Sequence, residues 1–343
     1  MIPQRNISLL SNRLAAGGGR RIREDVLERD YCLAWFLAVL SQSDLKPALG
    51  FKGGTALKRC YFDDYRFSED LDFTLLEEIP FEEILRRLDA VYREVHEGSG
   101  ISFAFDRQDR QQHTNSHTFY LTYVGPLPAG NGVKVDITVR ERLMFPLEDR
   151  AVHRGYAEFT DVPENRLVRV YSLEEVVTEK VIALMDRARN EPRDLYDLWH
   201  LTSNEGIALD HLSDAICRKL EFRDRDCQNI ENAILQKETR LKALWSARLA
   251  YQMTHLPRFE EVFRAVRRTL RQANLPWRFY IGPSSSGNRL KNANLRYAHW
   301  YAHDTHRRID MHYAAGLACS LQVIVIYKFI HIRINPAISV LSR

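Results

Sequence analysis

A chain of 343 residues that is 45% hydrophobic and 27% charged has enough apolar material for two domains and a large core, which excludes a disordered or low-complexity class. Lysine and arginine total 49 against 45 acids, a formal charge of +4, so no overall basic field marks a nucleic-acid binder and only a local basic cleft fits. Five cysteines without Cys-x-x-Cys spacing (Cys32, Cys60, Cys217, Cys227 and Cys319) point to neither a zinc site nor a disulfide framework, and the polar, arginine-containing start has no apolar signal core. A cytoplasmic protein is the expectation.

Residues 20–41 carry helical periodicity, with Ile22, Val26, Leu27, Trp35, Phe36 and Val39 on one broad apolar side. Lys46-Pro47 closes that helix. Residues 48–51 then read as the first core strand, feeding Gly53-Gly54-Thr55 and a helix start at Ala56-Leu57-Lys58. Strand, tight turn and helix N-terminus leave backbone N–H groups without partners, a ready anion site, although the same letters also describe an ordinary turn. Downstream, Asp70-Leu71-Asp72-Phe73-Thr74-Leu75 alternates with period two, which places Asp70, Asp72 and Thr74 on one face and Leu71, Phe73 and Leu75 on the other. Two carboxylates above an apolar floor repel one another unless a cation intervenes, and Mg²⁺ takes one or two carboxylates plus substrate phosphates. Taken alone, the pair also describes a solvated strand edge.

Residues 51–75 resemble the signature of the AbiEii/AbiGii toxins, a family that includes the MenT-type toxins of bacterial type IV toxin–antitoxin systems and lies within the nucleotidyltransferase superfamily. That superfamily carries Gly-Ser, here Gly54-Thr55, then Asp-x-Asp, then a third carboxylate on a later strand. The long insertion ending Arg66-Phe67-Ser68-Glu69-Asp70 is similar to the toxin branch, and residues 25–31 resemble its opening helix.

After Pro80 an amphipathic helix is predicted over 81–96, ended by Gly98-Ser99-Gly100, and strands are predicted over 101–105 and 118–124. His113 and His117 lie in or beside the polar loop between them, without the carboxylates a metal site requires. Residues 133–140 alternate without a fault, with Lys134, Asp136, Thr138 and Arg140 sharing a face. On its own this is a half-buried strand with a wet side. It is similar to the family's second motif, which implies that Asp136 stands beside the Asp pair as a third metal ligand or general base. From 150 to 170 the pattern breaks around Pro163, a reasonable domain boundary.

The helix predicted over 173–189 has Lys180 inside its apolar stripe of Leu173, Val176, Val177, Val181 and Leu184. Such a lysine either snorkels to solvent or borders a cleft where its ammonium meets a triphosphate. Pro192 and Asp194 suit the first turn of the next helix. Lys180, Ala183, Arg187 and Arg193-Asp194-x-x-Asp197-Leu198 resemble the family's third motif, in which the lysine and the aspartate are functional. Residues 207–272 read as helices, and the arginines 258, 264, 267, 268 and 271 are expected as a solvated face or as a basic strip at the mouth of a cleft suited to RNA. The resemblance ends near residue 279. Beyond it come a Gly-Pro-Ser linker and an apolar run near 317–330 that is short for a membrane span and interrupted by Lys328.

The expectation is therefore an α/β plus α protein: a mixed-sheet, polymerase-beta-like nucleotidyltransferase core over 1–165, a helical domain over 166–281, and a linker and tail of unknown role over 282–343. The resemblance implies transfer of a nucleoside monophosphate from an NTP to an acceptor hydroxyl, with the 3′ end of tRNA as acceptor, and a cognate antitoxin encoded next door. Asp70, Asp72 and Asp136 would hold Mg²⁺, Gly53, Gly54 and Thr55 the phosphates, and Lys180 and Arg193 the triphosphate charge. Asp194 would orient the lysine or contact the nucleotide, and Ser68 is a candidate phosphorylation point, where added charge would repel the triphosphate. Nucleotidylation of a small molecule or protein, and a catalytically inactive nucleotide-binding module, are the rival readings.

Overall fold

A computed structural model describes residues 1–110, 114–273 and 275. Two helices, α1 (Gln4–Ala16) and α2 (Glu24–Leu40), precede strand β1 (Leu49–Lys52), the short helical turn α3 (Gly53–Ala56) and a π-helical turn over Leu57–Tyr61. Strand β2 (Leu71–Leu75), helix α4 (Phe81–Ser99) and strands β3 (Ser102–Gln108), β4 (Ser116–Val124), β5 (Asn131–Thr138), β6 (Leu147–Ala151) and β7 (Leu167–Tyr171) follow. The chain then becomes helical, with α5 (Leu173–Met185), α6 (Pro192–Ser203), α7 (Ser213–Phe222), α8 (Ile230–Leu235), α9 (Glu238–Leu249) and α10 (Phe259–Gln272).

The strands form one mixed sheet in the order β3-β4-β5-β2-β1-β7-β6, with β2 parallel to β5 and β1 parallel to β7. Period-two alternation gives the sheet one apolar face, on which Phe51, Leu71, Phe73, Val135 and Ile137 are all buried. That face belongs to a core shared with α2 and α4. Helix α2 is buried nearly all round, including Glu28 and Asp30, so it is a core helix and not the one-sided helix its periodicity suggests. Helix α4 is amphipathic, burying Ile84, Leu88, Val91 and Val95, and ends at Gly100, whose φ of +77° is the left-handed conformation that glycine adopts without strain. A second core joins helices α5 to α10 through residues such as Val181, Leu198, Leu220, Trp245 and Phe263.

Several sequence expectations change here. Helix α1 lies in a start that periodicity left unassigned, and α2 begins at Glu24. Residues 150–170, read as a break in the pattern, contribute most of the antiparallel pair β6–β7, which extends the sheet beyond β1. Helix α5 stops at Met185 because Asp186 adopts an extended ψ of 116°. A disulfide joins Cys217 to Cys227, which spacing gave no reason to pair, while Cys32 and Cys60 are buried and free. His117 stacks on Phe81, with ring centroids 4.9 Å apart, so its surroundings are aromatic. Among the described residues no helix is long and apolar enough to cross a membrane. His113 and the proposed tail, 282–343, lie outside the described residues.

Candidate active site

The polar face of the sheet presents a row set by register alone. Lys52 of β1 pairs with Asp72 of β2, and Asp72 pairs with Asp136 of β5, so ammonium, carboxylate and carboxylate lie side by side across three strands. One pleat along, Thr74 neighbours Thr138, and the Lys52 ammonium donates to the Thr138 hydroxyl at 2.9 Å. Asp70 sits just before β2, and its carboxylate lies 3.6 Å from the Arg193 guanidinium. Lys52, Asp70, Asp72, Asp136, Thr138 and Arg193 line a cleft of about 390 Å³ with Gly53, Gly54, Ser68, Lys180 and Asp194. The lining carries eight basic and six acidic side chains, a surplus of two positive charges that favours an anionic occupant.

Gly53 makes the approach of turn and carboxylate possible. Its φ is +80°, and a Cβ built there would lie 2.2 Å from Asp72 Oδ2. At Gly54 a Cβ would meet the Arg66 guanidinium at 2.6 Å and the Ser68 hydroxyl at 2.9 Å, so this position too must stay bare. Thr55 departs from its expected role as a phosphate donor. It is buried, its hydroxyl donates to the Asp70 carbonyl oxygen, and it ties the turn to the start of β2 without lining the cleft. Ser68 does line the cleft but is only 7% exposed, so a modifying enzyme would need its loop to open.

Across the cleft, α5 and α6 hold Lys180 in a buried ionic network. Its ammonium lies 2.9 Å from Asp194 and 2.6 Å from Asp197. Arg189, just past the end of α5, turns back onto Asp194 at 2.6 Å. Arg66, from the loop before β2, grips both oxygens of Asp197 at 2.7 Å, and the Tyr65 hydroxyl donates to the same carboxylate. Burial alone would lower the Lys180 pKa, but the two aspartates outweigh it and hold the ammonium above its ordinary value. Burial likewise opposes ionisation of Asp194, yet Lys180 and Arg189 bring its carboxyl down to about 2. Lys180 is therefore a fixed cation at neutral pH, not a base or a nucleophile.

The carboxylate row behaves differently. Burial pushes the Asp72 carboxyl above its usual range, Asp70 and Asp136 push it further, and Lys52 opposes them. Crowded carboxylates of this kind favour a bound cation, and a set of oxygen donors without histidine or cysteine suits Mg²⁺ over Zn²⁺. Among the described residues no three Asp, Glu, His or Cys side chains gather closely enough to chelate an ion unaided. Mg²⁺ fits such an open set because it retains waters and accepts phosphate oxygens from a substrate.

With this geometry in view, a family model described as nucleotidyl transferase AbiEii toxin, type IV TA system, matches residues 35–268. The chain belongs to the AbiEii toxin family. Its mixed sheet and appended helices are similar to a solved structure, the MenT4 nucleotidyltransferase toxin from Mycobacterium tuberculosis, with a TM-score of 0.52 and 21% identity over 78% of this chain and 89% of that one. At that identity the likeness speaks for the fold. No curated protein matches the chain significantly.

In this AbiEii toxin the cleft gathers every expected site residue except Thr55. The arginines of α10 are not among its lining, where Arg66, Arg189, Arg193, Arg223 and Arg225 stand instead. Lys52, Glu179 and Arg189 had no role assigned from the sequence, and Arg66 and Asp197 entered only as members of the family-like motifs. Lys52 was open to discovery, since it directly precedes the glycine turn. Asp197 had a signal in its place three residues after Asp194, one helical turn along the same face.

Proposed function

We propose that this toxin transfers a nucleoside monophosphate from an NTP to the 3′-terminal hydroxyl of a tRNA, in a reaction that depends on Mg²⁺. The observation that carries the reading is the in-register placement of Asp72 beside Asp136, next to the Gly53–Gly54 turn and within the cleft that Lys180 lines. Asp70 and Asp72 would hold the metal, with Asp136 as the remaining ligand or base. A divalent cation bound there neutralises charge on the reacting phosphate oxygens. The N–H groups of Gly53 and Gly54 donate to phosphate oxygens, and Lys180, Arg189 and Arg193 offset their charge. Lys180, Arg189 and Arg66 share the two carboxylates of Asp194 and Asp197, so this group keeps one net positive charge toward the phosphates.

The acceptor oxygen attacks the α-phosphorus, the bond from that phosphorus to the bridging oxygen of the β-phosphate breaks, and pyrophosphate leaves. Asp136 takes the acceptor's proton. Positioning and charge do most of the work, as in phosphoryl transfer generally. The tRNA acceptor draws support from family membership and from Lys134 and Arg225 in the cleft lining, cations suited to an RNA backbone. Labour is divided along the chain: strands β1, β2 and β5 hold metal and turn, and the segment after β7, which closes the sheet beyond the expected boundary at 165, supplies Lys180, Arg189 and Arg193.

Incubating the protein with each labelled NTP, Mg²⁺ and either total tRNA or cell-lysate protein tests this reading. Label in tRNA is the expected result, whereas label confined to protein or to small molecules would replace the acceptor. Growth inhibition in bacteria should vanish with Asp70→Ala and with Lys180→Ala, and undiminished toxicity of both would overturn the site. Under the same reading, phosphorylation of Ser68 would place negative charge against the triphosphate site. Mass spectrometry of protein co-expressed with its antitoxin should then find the modification, and inactive protein with bare Ser68 would refute it.

A further inference from the structure

Glu179 is a carboxylate that a triphosphate cleft does not call for. It neighbours Lys180 on α5 and lines the same cleft. Lys219, fully buried, binds it from beneath, and Arg223 reaches it at 2.6 Å. Those two cations also serve Glu141 and Glu175, so three carboxylates share two positive partners. Glu141 and Glu175 are structural: both are almost wholly buried, and Glu175 also accepts the backbone N–H groups of Met144 at 2.8 Å and Phe145 at 2.9 Å. Glu179 is the accessible member, its side chain 22% exposed.

An ionised carboxylate accepts hydrogen bonds and donates none, and it repels phosphate. The ligand group opposite Glu179 is therefore a neutral donor. Its place along the cleft narrows the choice. Lys52 and Lys219, the cation that holds Glu179, both lie against the Tyr171 ring, at 5.7 and 5.6 Å from its centre, whereas Lys180 and Arg189 are gathered on Asp194 of α6. The phosphates follow Lys180, Arg189 and Arg193, so Glu179 faces what lies on the other side of the reacting phosphorus. The nearest neutral donors to that atom are ribose hydroxyls, and a carboxylate accepting from a sugar hydroxyl is an established way of recognising ribose.

We infer that Glu179, held in place by Lys219 and Arg223, accepts hydrogen bonds from ribose hydroxyls and makes the toxin select ribose over 2′-deoxyribose. The inference rests on the transfer reaction proposed above. The sugar belongs either to the nucleotide or to the 3′-terminal residue of the acceptor, and two arms of one experiment distinguish them. In the first, transfer to total tRNA is measured with each NTP and its 2′-deoxy counterpart. In the second, one NTP is transferred to RNA oligonucleotides ending in ribose or in 2′-deoxyribose, both of which keep the attacking 3′-hydroxyl.

Wild-type protein should favour ribose roughly ten- to hundredfold in kcat/KM in one arm, the range expected for a hydrogen bond to a charged group. Glu179→Gln keeps the side chain's size and leaves the ionic cluster neutral, and it should reduce that preference at least about fivefold in the same arm. Glu179→Asp, which keeps the charge and retracts it by one methylene, is scored in the same way should the glutamine variant not fold. Equal use of ribose and deoxyribose by the wild type in both arms overturns the inference, as does an unchanged preference in the variants. Absence of any transfer by the wild type instead overturns the reaction on which the inference stands.

Discussion

Asp197 shows how much of a site rests on side chains that touch no substrate. It lies behind the cleft and binds Arg66, Lys180 and Tyr65 at once, joining the loop before β2 to helices α5 and α6. Removing one member of such a buried ion pair leaves uncompensated charge and costs about 3–5 kcal/mol. Asp197→Asn should therefore lower the unfolding free energy by about that amount in urea titrations and abolish transfer, because Lys180 and Arg66 lose their common anchor. Stability unchanged within about 1 kcal/mol would show that the pair is dispensable. Asp194 predicts a pH dependence. Its carboxyl titrates at about 2 when folded and near the ordinary 3.8 when unfolded, so the stability it confers is complete above that ordinary value and is lost as pH falls toward 2. The stability difference between the wild type and Asp194→Asn should hold between pH 7 and 5 and shrink between pH 4 and 2. A difference that stayed constant down to pH 2 would contradict the assigned pairing. Neither network was fully legible in the sequence, since Arg66 and Asp197 are 131 residues apart and no local periodicity links them.

At the scale of elements, the turn between β1 and α3 and the pairing of β2 with β5 decide the geometry. Both were readable. Alternation in residues 70–75 and 133–140 fixes which side chains share a face, and a slip of one residue would bury the aspartates and expose Phe73 and Ile137. Gly53→Ala tests the turn. A left-handed alanine costs about 1–2 kcal/mol, and its Cβ would collide with Asp72 at 2.2 Å, so the carboxylate must move. We expect a folded protein with modestly reduced stability and at least about a hundredfold loss of transfer, the cost of a small misplacement at a reacting centre. Wild-type rates in that variant would mean that the contact is not needed. Strand β6 was not readable, because Leu-Glu-Asp-Arg-Ala resembles loop and becomes a strand only by pairing with β7, whereas the Leu-Val-Arg-Val-Tyr of β7 carried a strand signal that the reading of 150–170 as a break missed. The end of α5 was misplaced too. Nothing in its periodicity marks Asp186, where the backbone becomes extended and the helix ends.

Across the whole molecule, the sheet and the helical segment each have a hydrophobic core, and the cleft draws its lining from both. The sheet supplies carboxylates and the glycine turn, while the helices supply Lys180, Arg189 and Arg193. Neither part alone contains a complete site, so catalysis should be lost on any change that separates them, even when each still folds. The central claim is that Asp70, Asp72 and Asp136 form one reaction centre with Lys180. Its most direct test is Mg²⁺-dependent transfer of label from α-labelled NTP to total tRNA, compared between wild type and Asp72→Asn after circular dichroism confirms that the variant is folded. The account predicts labelled tRNA with the wild type, none without Mg²⁺, and at least about a thousandfold less with Asp72→Asn. Equal labelling by both proteins would contradict it.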